Sequence, residues 1–151
     1  RVVMANIAQM VNVLQAVILT DGAKMICTPT YHVFELYKAH HDANYLPSAI
    51  TCGECSGVKQ LTATASEKEG VITLTATNTS CTDALDVVVH LSGASAKDVT
   101  ARILTGDMHD KNTFEDAEKV TVKPFDTVRM TETGLNMTLP ACSVVEVTIR
   151  G

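Results

Sequence analysis

The sequence predicts a mainly β fold, an antiparallel β-sandwich preceded by a helix–strand–helix segment. Three observations carry this expectation. From Val58 onward apolar side chains recur at every second position, the period of a strand with one buried face. The positions between them are rich in threonine, and Gly, Asn, Asp and Ser separate the runs at short intervals. Before residue 47 the spacing is instead helical.

Residues 2–20 (VVMANIAQMVNVLQAVILT) carry no charge, and their amides Asn6, Gln9, Asn12 and Gln15 recur at every third position. On a helix these four would form one skewed stripe, with Ile7, Met10, Val11, Leu14 and Val17 around the remainder. Such a helix needs apolar neighbours on nearly all sides. A bilayer is a poor source of them, because four amides in hydrocarbon would each need a partner and no basic cluster follows. The interior of a larger protein is the better one. Asp21-Gly22 reads as a turn, residues 24–27 as a short strand, and residues 28–44 as a second helix opened by Thr28-Pro29, with Val33, Leu36 and Tyr37 on one side.

The strands follow in order. Ile72, Leu74 and Ala76 alternate with Val71, Thr73, Thr75 and Thr77. The same alternation returns at Val87, Val89 and Leu91, at Val99, Ala101 and Ile103, at Leu135, Met137 and Leu139, and at Val145, Val147 and Ile149.

With 151 residues, 46% of them hydrophobic, the chain can bury one ordinary core. A net charge of −5 without blocks of like charge argues against nucleic acid and anionic membranes as partners. Five cysteines, an odd number at low density, suggest a reducing compartment and a cytoplasmic protein. Because the chain opens on Arg1, it is expected to be the tail of a longer polypeptide.

Several segments together carry a resemblance. They are Asn6-Ile7-Ala8-Gln9, Val11-Asn12-Val13-Leu14-Gln15-Ala16, Ile18-Leu19-Thr20-Asp21-Gly22, Thr28-Pro29-Thr30-Tyr31-His32-Val33-Phe34, Ala101 to Met108, Asn112-Thr113-Phe114-Glu115-Asp116 and Leu139-Pro140-Ala141-Cys142-Ser143-Val144-Val145. In this order they resemble the C-terminal part of family fifty-one α-L-arabinofuranosidases. The resemblance implies a β/α barrel that cleaves terminal arabinofuranosyl groups and a jelly-roll β-sandwich packed against it. Residues 1–46 would be the last helix–strand–helix of the barrel and residues 47–151 the sandwich domain.

Enzymes of this family retain configuration by using two glutamates, one as nucleophile and one as acid/base. The resemblance puts both upstream of Arg1. None of Glu35, Glu54, Glu115, Glu118, Glu132 or Glu146 matches either motif, so no catalytic residue is assigned. Gln9 alone aligns with a substrate-binding position, a barrel glutamine that hydrogen-bonds the arabinose ring. An amide offers both donor and acceptor to neighbouring hydroxyls. The alternative for Gln9 is the role assigned to Asn6 and Asn12, satisfying backbone groups within the amide stripe.

The remaining constellations read as structural. Cys52 and Cys55 have the spacing of half a zinc site, but no second pair exists, and Cys27, Cys81 and Cys142 are scattered. His40-His41-Asp42 reads as a solvated helix end, because adjacent side chains diverge. Tyr31-His32 suits either a sugar site or helix packing. Asn78-Thr79-Ser80 and Asn136-Met137-Thr138 match the short glycosylation pattern, and residues 106–115 form a polar loop. No metal or cofactor is expected. The expected partners are the upstream barrel, an arabinose-containing saccharide and further copies in a homo-oligomer; without its barrel, the uncharged helix is expected to self-associate or to dock onto the chain's own sandwich.

Two other classes compete with this reading: a carbohydrate-binding module and a protein-interaction module. Binding modules commonly stack sugars on exposed aromatics. The chain has no Trp, and its sandwich part carries only Phe114 and Phe125 as phenylalanines.

Overall fold

A computed structural model describes residues 6–151. The strands are β1 (Ile18–Asp21), β2 (Lys24–Cys27), β3 (Asn44–Leu46), β4 (Glu54–Cys55), β5 (Val58–Lys59), β6 (Leu61–Lys68) and β7 (Val71–Asn78). They continue with β8 (Leu85–His90), β9 (Asp98–Thr105), β10 (Lys123–Pro124), β11 (Arg129–Thr131), β12 (Gly134–Leu139) and β13 (Ser143–Arg150). Among the described residues one α-helix, α1, spans Pro29–Tyr37, and a 3-10 turn, Lys38–His40, continues it.

Two antiparallel sheets form the sandwich. One has six strands in the order β10-β9-β13-β7-β6-β3, and the other has three, β11-β12-β8. The period-two runs predicted this. Val145, Val147 and Ile149 of β13 point inward with Leu74 and Ala76 of β7 and meet Leu135, Met137 and Leu139 of β12. Leu135, Leu139, Val145 and Val147 are completely buried, and each contributes about 1.5–3 kcal/mol by leaving water. The β6–β7 hairpin turns through Glu69 and Gly70, whose φ values of 54° and 81° suit a primed turn that matches the strand twist.

The six-stranded sheet is covered on its other face as well. Leu104 and Val144 are register partners on β9 and β13, and with Val120 they receive the fully buried Leu36 of α1. Pro29 supplies the preset backbone angle of the first helical turn.

The N-terminal segment departs from the expected helix. Residues 2–5 of that stretch lie outside the described residues, and residues 6–17 are irregular. Ile18 to Asp21 then pairs as a strand with Lys24 to Cys27 in a two-stranded hairpin. Asn12 and Gln15 have φ of 53° and 57°, which a right-handed helix excludes. Asn12 uses its amide locally: Nδ2 donates to Thr20 Oγ1 at 2.9 Å, and Oδ1 accepts the Thr20 N–H at 2.7 Å. This competes directly with helical hydrogen bonding. Thr28 closes the loop by donating from Oγ1 to the Ala16 carbonyl at 2.7 Å.

The second helix is shorter than the expected residues 28–44. It gives way to the 3-10 turn after Tyr37, Asp42 takes a left-handed φ of 55°, and β3 then pairs with β6 at the edge of the larger sheet.

Candidate functional site

Most of the polar candidate residues fall into two regions, the N-terminal loop with its hairpin and the outer face of the six-stranded sheet beside α1. In the loop, the Met10 carbonyl accepts both the Val17 N–H at 3.0 Å and the Ile18 N–H at 3.1 Å. These bonds draw the segment between them into a closed excursion. Gln9 sits at its entrance and is exposed. It does not lie on a helix, so the amide stripe expected with Asn6, Asn12 and Gln15 does not form. Asn12 is held by Thr20 as described, through exposed loop contacts and not within a buried helical stripe.

Exposed apolar side chains concentrate here. Met10, Val13 and Leu14 of the loop, Met25 of β2 and Phe34 of α1 are all exposed, Leu14 to 80%. A surface of this kind is unfavourable in water and favours a covering partner. Tyr31 is 39% exposed, and its ring meets His32 edge-on with centroids 5.5 Å apart. His32 is half-buried and lies 3.1 Å from Glu35 Oε2 through Nδ1, which ties it to helix packing.

Glu35 leads to the second region. Arg102 Nη1 donates to Glu35 Oε1 at 3.2 Å, and Arg102 Nε donates to Glu146 Oε2 at 2.9 Å. Arg102 and Glu146 are cross-strand partners on β9 and β13, and Glu146 is buried. Because one guanidinium grips both carboxylates, they form a structural ion pair and not the free acid and nucleophile of a retaining glycosidase.

His40 lies close by. Its Nδ1 is 2.7 Å from Ser66 Oγ and its Nε2 is 2.7 Å from Thr75 Oγ1. A neutral imidazole can donate at one nitrogen and accept at the other, and two hydroxyls satisfy both. Burial lowers the His40 pKa below its ordinary value, while the charge of Glu146 partly opposes this. His40 therefore fastens the 3-10 turn to the sheet. His41 instead pairs with Asp42 at 3.1 Å in solvent, and no metal-binding cluster occurs among the described residues. The outward Glu146 between Val145 and Val147 was the one sequence signal for this network.

Other expected motifs resolve into structure. All five cysteines are free thiols, and Cys52 Sγ faces the Leu61 carbonyl at 3.7 Å. Asn78 is 1% exposed and donates from Nδ2 to the Leu139 and Pro140 carbonyls, so its side chain is not free to accept a glycan. Within the polar loop, Asn112 is buried and bonds both Cys27 and Val120, linking the hairpin to the sandwich.

Between the sheets lies an apolar cavity of about 430 Å³, lined by Leu46, Ile50, Ala63, Ala65, Leu74 and Val87 among others. Its lining holds no Phe, Tyr or Trp against which a sugar ring could stack.

Comparison with known proteins agrees with the fold. Residues 1–143 match the model of the α-L-arabinofuranosidase C-terminal domain. The chain is 41% identical to an intracellular exo-α-L-arabinofuranosidase of Bacteroides ovatus, over 96% of this chain and 30% of that protein. It superimposes with a TM-score of 0.90 on a family 51 arabinofuranosidase of Xanthomonas axonopodis pv. citri, at 39% identity over 99% of this chain and 32% of that one. A family 51 α-L-arabinofuranosidase of Bifidobacterium longum gives 0.81 at 27% identity, over 95% of this chain and 30% of that one. The chain thus spans roughly a third of the length of each relative. It belongs to the α-L-arabinofuranosidase C-terminal domain family.

Proposed function

We propose that this chain serves as the C-terminal part of a retaining α-L-arabinofuranosidase that removes terminal, non-reducing α-L-arabinofuranosyl groups from arabinose-containing saccharides. The observation that carries the reading is the family match over residues 1–143, together with relatives of which the chain spans only about a third.

In this reading residues 1–46 complete the catalytic β/α barrel and residues 47–151 form the sandwich that packs against it. The strand just before this boundary, β3, is itself the edge strand of the larger sandwich sheet and pairs with β6. The exposed Met10, Leu14 and Phe34 supply apolar surface for the upstream barrel to cover. Gln9 is the substrate-binding residue, and its exposed amide suits recognition of adjacent sugar hydroxyls. The catalytic glutamates lie outside these residues. The protein is cytoplasmic and self-associates, its compartment suggested by the relative named as intracellular and by five unpaired thiols. No described helix is long and apolar enough to cross a membrane.

The test is hydrolysis of an aryl α-L-arabinofuranoside by the protein with and without its upstream portion. Activity is expected only when that portion is present. Turnover by the 151-residue chain that was abolished by replacing one of its own carboxylates would overturn the assignment.

A further inference from the structure

The two loops at one end of the sandwich bring together two cysteines that lie far apart in sequence. Cys142 occupies the β12–β13 turn with φ of 47°, and Cys81 lies in the loop after β7. The Cys142 N–H donates to the Ser80 carbonyl at 2.8 Å. These two groups belong to the peptide units immediately preceding the α-carbons of Cys142 and Cys81. One hydrogen bond therefore sets the backbones of both cysteines side by side.

The placement is held by a polar network independent of sulfur. Asn78 Nδ2 donates to the Asp83 carbonyl at 2.8 Å on one loop and to the Pro140 carbonyl at 2.9 Å on the other. Its Oδ1 accepts the Ser80 N–H at 3.0 Å. Ser80 Oγ accepts the Asp83 N–H at 3.0 Å, and Ser143 Oγ donates to the Pro140 carbonyl at 2.7 Å. Every buried polar side-chain atom among the described residues has a partner, so these loops are fixed against each other.

We propose that Cys81 and Cys142 form a reversible dithiol–disulfide site, closed by small-molecule disulfides of the glutathione type. Cys81 is exposed and Cys142 is half-buried, which assigns their order of reaction. Burial, with Cys81 and Asp107 adding to it, raises the Cys142 pKa, so Cys81 is the first nucleophile. Its thiolate attacks one sulfur of oxidised glutathione, forming a Cys81–glutathione bond and releasing one glutathione. Cys142 then loses its proton and attacks the Cys81 sulfur. The mixed disulfide breaks, the protein disulfide forms and the second glutathione leaves. Two electrons and two protons pass from the cysteines to the oxidant. Closure requires little rearrangement, because a disulfide joins α-carbons about 4.4–6.8 Å apart and the shared hydrogen bond already holds the two backbones together. The bond would clamp the start of β13 to the β7–β8 loop, next to the fully buried core positions Leu139 and Val145.

The experiment is incubation of the reduced protein with oxidised glutathione, followed by peptide mapping without reduction. A peptide linked through Cys81 and Cys142, lost on addition of dithiothreitol, is the expected product, with the melting temperature rising on oxidation and falling on reduction. Cys142→Ser is expected to accumulate glutathione on Cys81, trapping the first step, and Cys81→Ser to leave Cys142 unmodified. Cys55→Ser, which removes another exposed thiol, should leave the cross-link intact. Stable glutathione on Cys81 of the otherwise unaltered protein, or a cross-link confined to Cys52 and Cys55, would overturn the proposal.

Discussion

Arg102 and Glu146 face each other across β9 and β13, with the guanidinium Nε 2.9 Å from a carboxylate that is buried beneath α1. The same guanidinium reaches Glu35, so one cation connects the helix to the sheet it covers. Leu36 supplies the apolar part of that joint, and the ion pair fixes its position along the strands.

Removing the cation should cost more than removing the pair. Arg102→Met leaves Glu146 buried without its partner, and because Arg102 is itself 45% exposed the loss should be about 2 kcal/mol, less than for a fully buried pair. Adding Glu146→Gln should recover part of this. Urea denaturation of both variants measures the difference, and equal losses in the single and double variants would show that the charge itself is immaterial.

His40 makes the fold sensitive to acid. Its pKa is lowered by burial, so the native state favours the neutral ring while the unfolded chain titrates at the ordinary value of 6.5. Stability from this group is therefore complete above pH 6.5 and declines as pH falls from there toward the lowered folded value. Glu146 faces it from β13 and moderates the effect, and Ser66 and Thr75 face it from β6 and β7. His40→Gln should be less stable at neutral pH yet lose less between pH 7.5 and 5.5. Urea midpoints at the two pH values would show the flatter response, and parallel profiles would exclude His40 as the sensor.

Two glycines with positive φ should differ sharply in tolerance. At Gly134, φ is 155° and an added Cβ would lie 2.0 Å from the Val89 carbonyl oxygen, so Gly134→Ala must displace the start of β12 from β8. A loss of roughly 3 kcal/mol is expected. Gly22 turns the β1–β2 hairpin at φ of 58° with open space around it, and Gly22→Ala should cost about 1 kcal/mol from backbone strain alone. Thermal unfolding of both variants provides the comparison.

The sandwich was legible in the sequence because its faces alternate strictly. Val145, Val147 and Ile149 point inward while Val144 and Glu146 point outward, and a period of two has no other economical reading. The N-terminal loop was not legible. A run of uncharged residues looks the same whether it covers a helix or a closed excursion, and the deciding event is long-range: Asn12 satisfies Thr20, eight residues away, in place of a helical neighbour. The nearness of Cys81 to Cys142 was hidden for the same reason, since it follows from the hydrogen bond between the Cys142 N–H and the Ser80 carbonyl, far apart in sequence, and not from any local spacing. His40 likewise needed Ser66 and Thr75 from two other strands before its role could be read.

The contrast between Gln9 and Asn12 offers the sharpest test of the site. Both are amides of one uncharged segment, but Asn12 spends its donor and acceptor on Thr20 whereas Gln9 is exposed at the entrance of the loop. In the arabinofuranosidase proposed to contain this chain, Asn12→Ala should lower stability by about 1 kcal/mol and leave kcat/KM close to normal, because it removes a local hydrogen-bonded link. Gln9→Ala should leave the melting temperature nearly unchanged and reduce kcat/KM roughly 5- to 150-fold, equivalent to about 1–3 kcal/mol of transition-state stabilisation lost with the sugar hydroxyl contacts. Conservative Gln9→Glu keeps an acceptor and removes the donor, so it should fall between the two. A Gln9→Ala enzyme with normal kcat/KM and a depressed melting temperature would make Gln9 a structural amide like Asn12 and remove it from the substrate site.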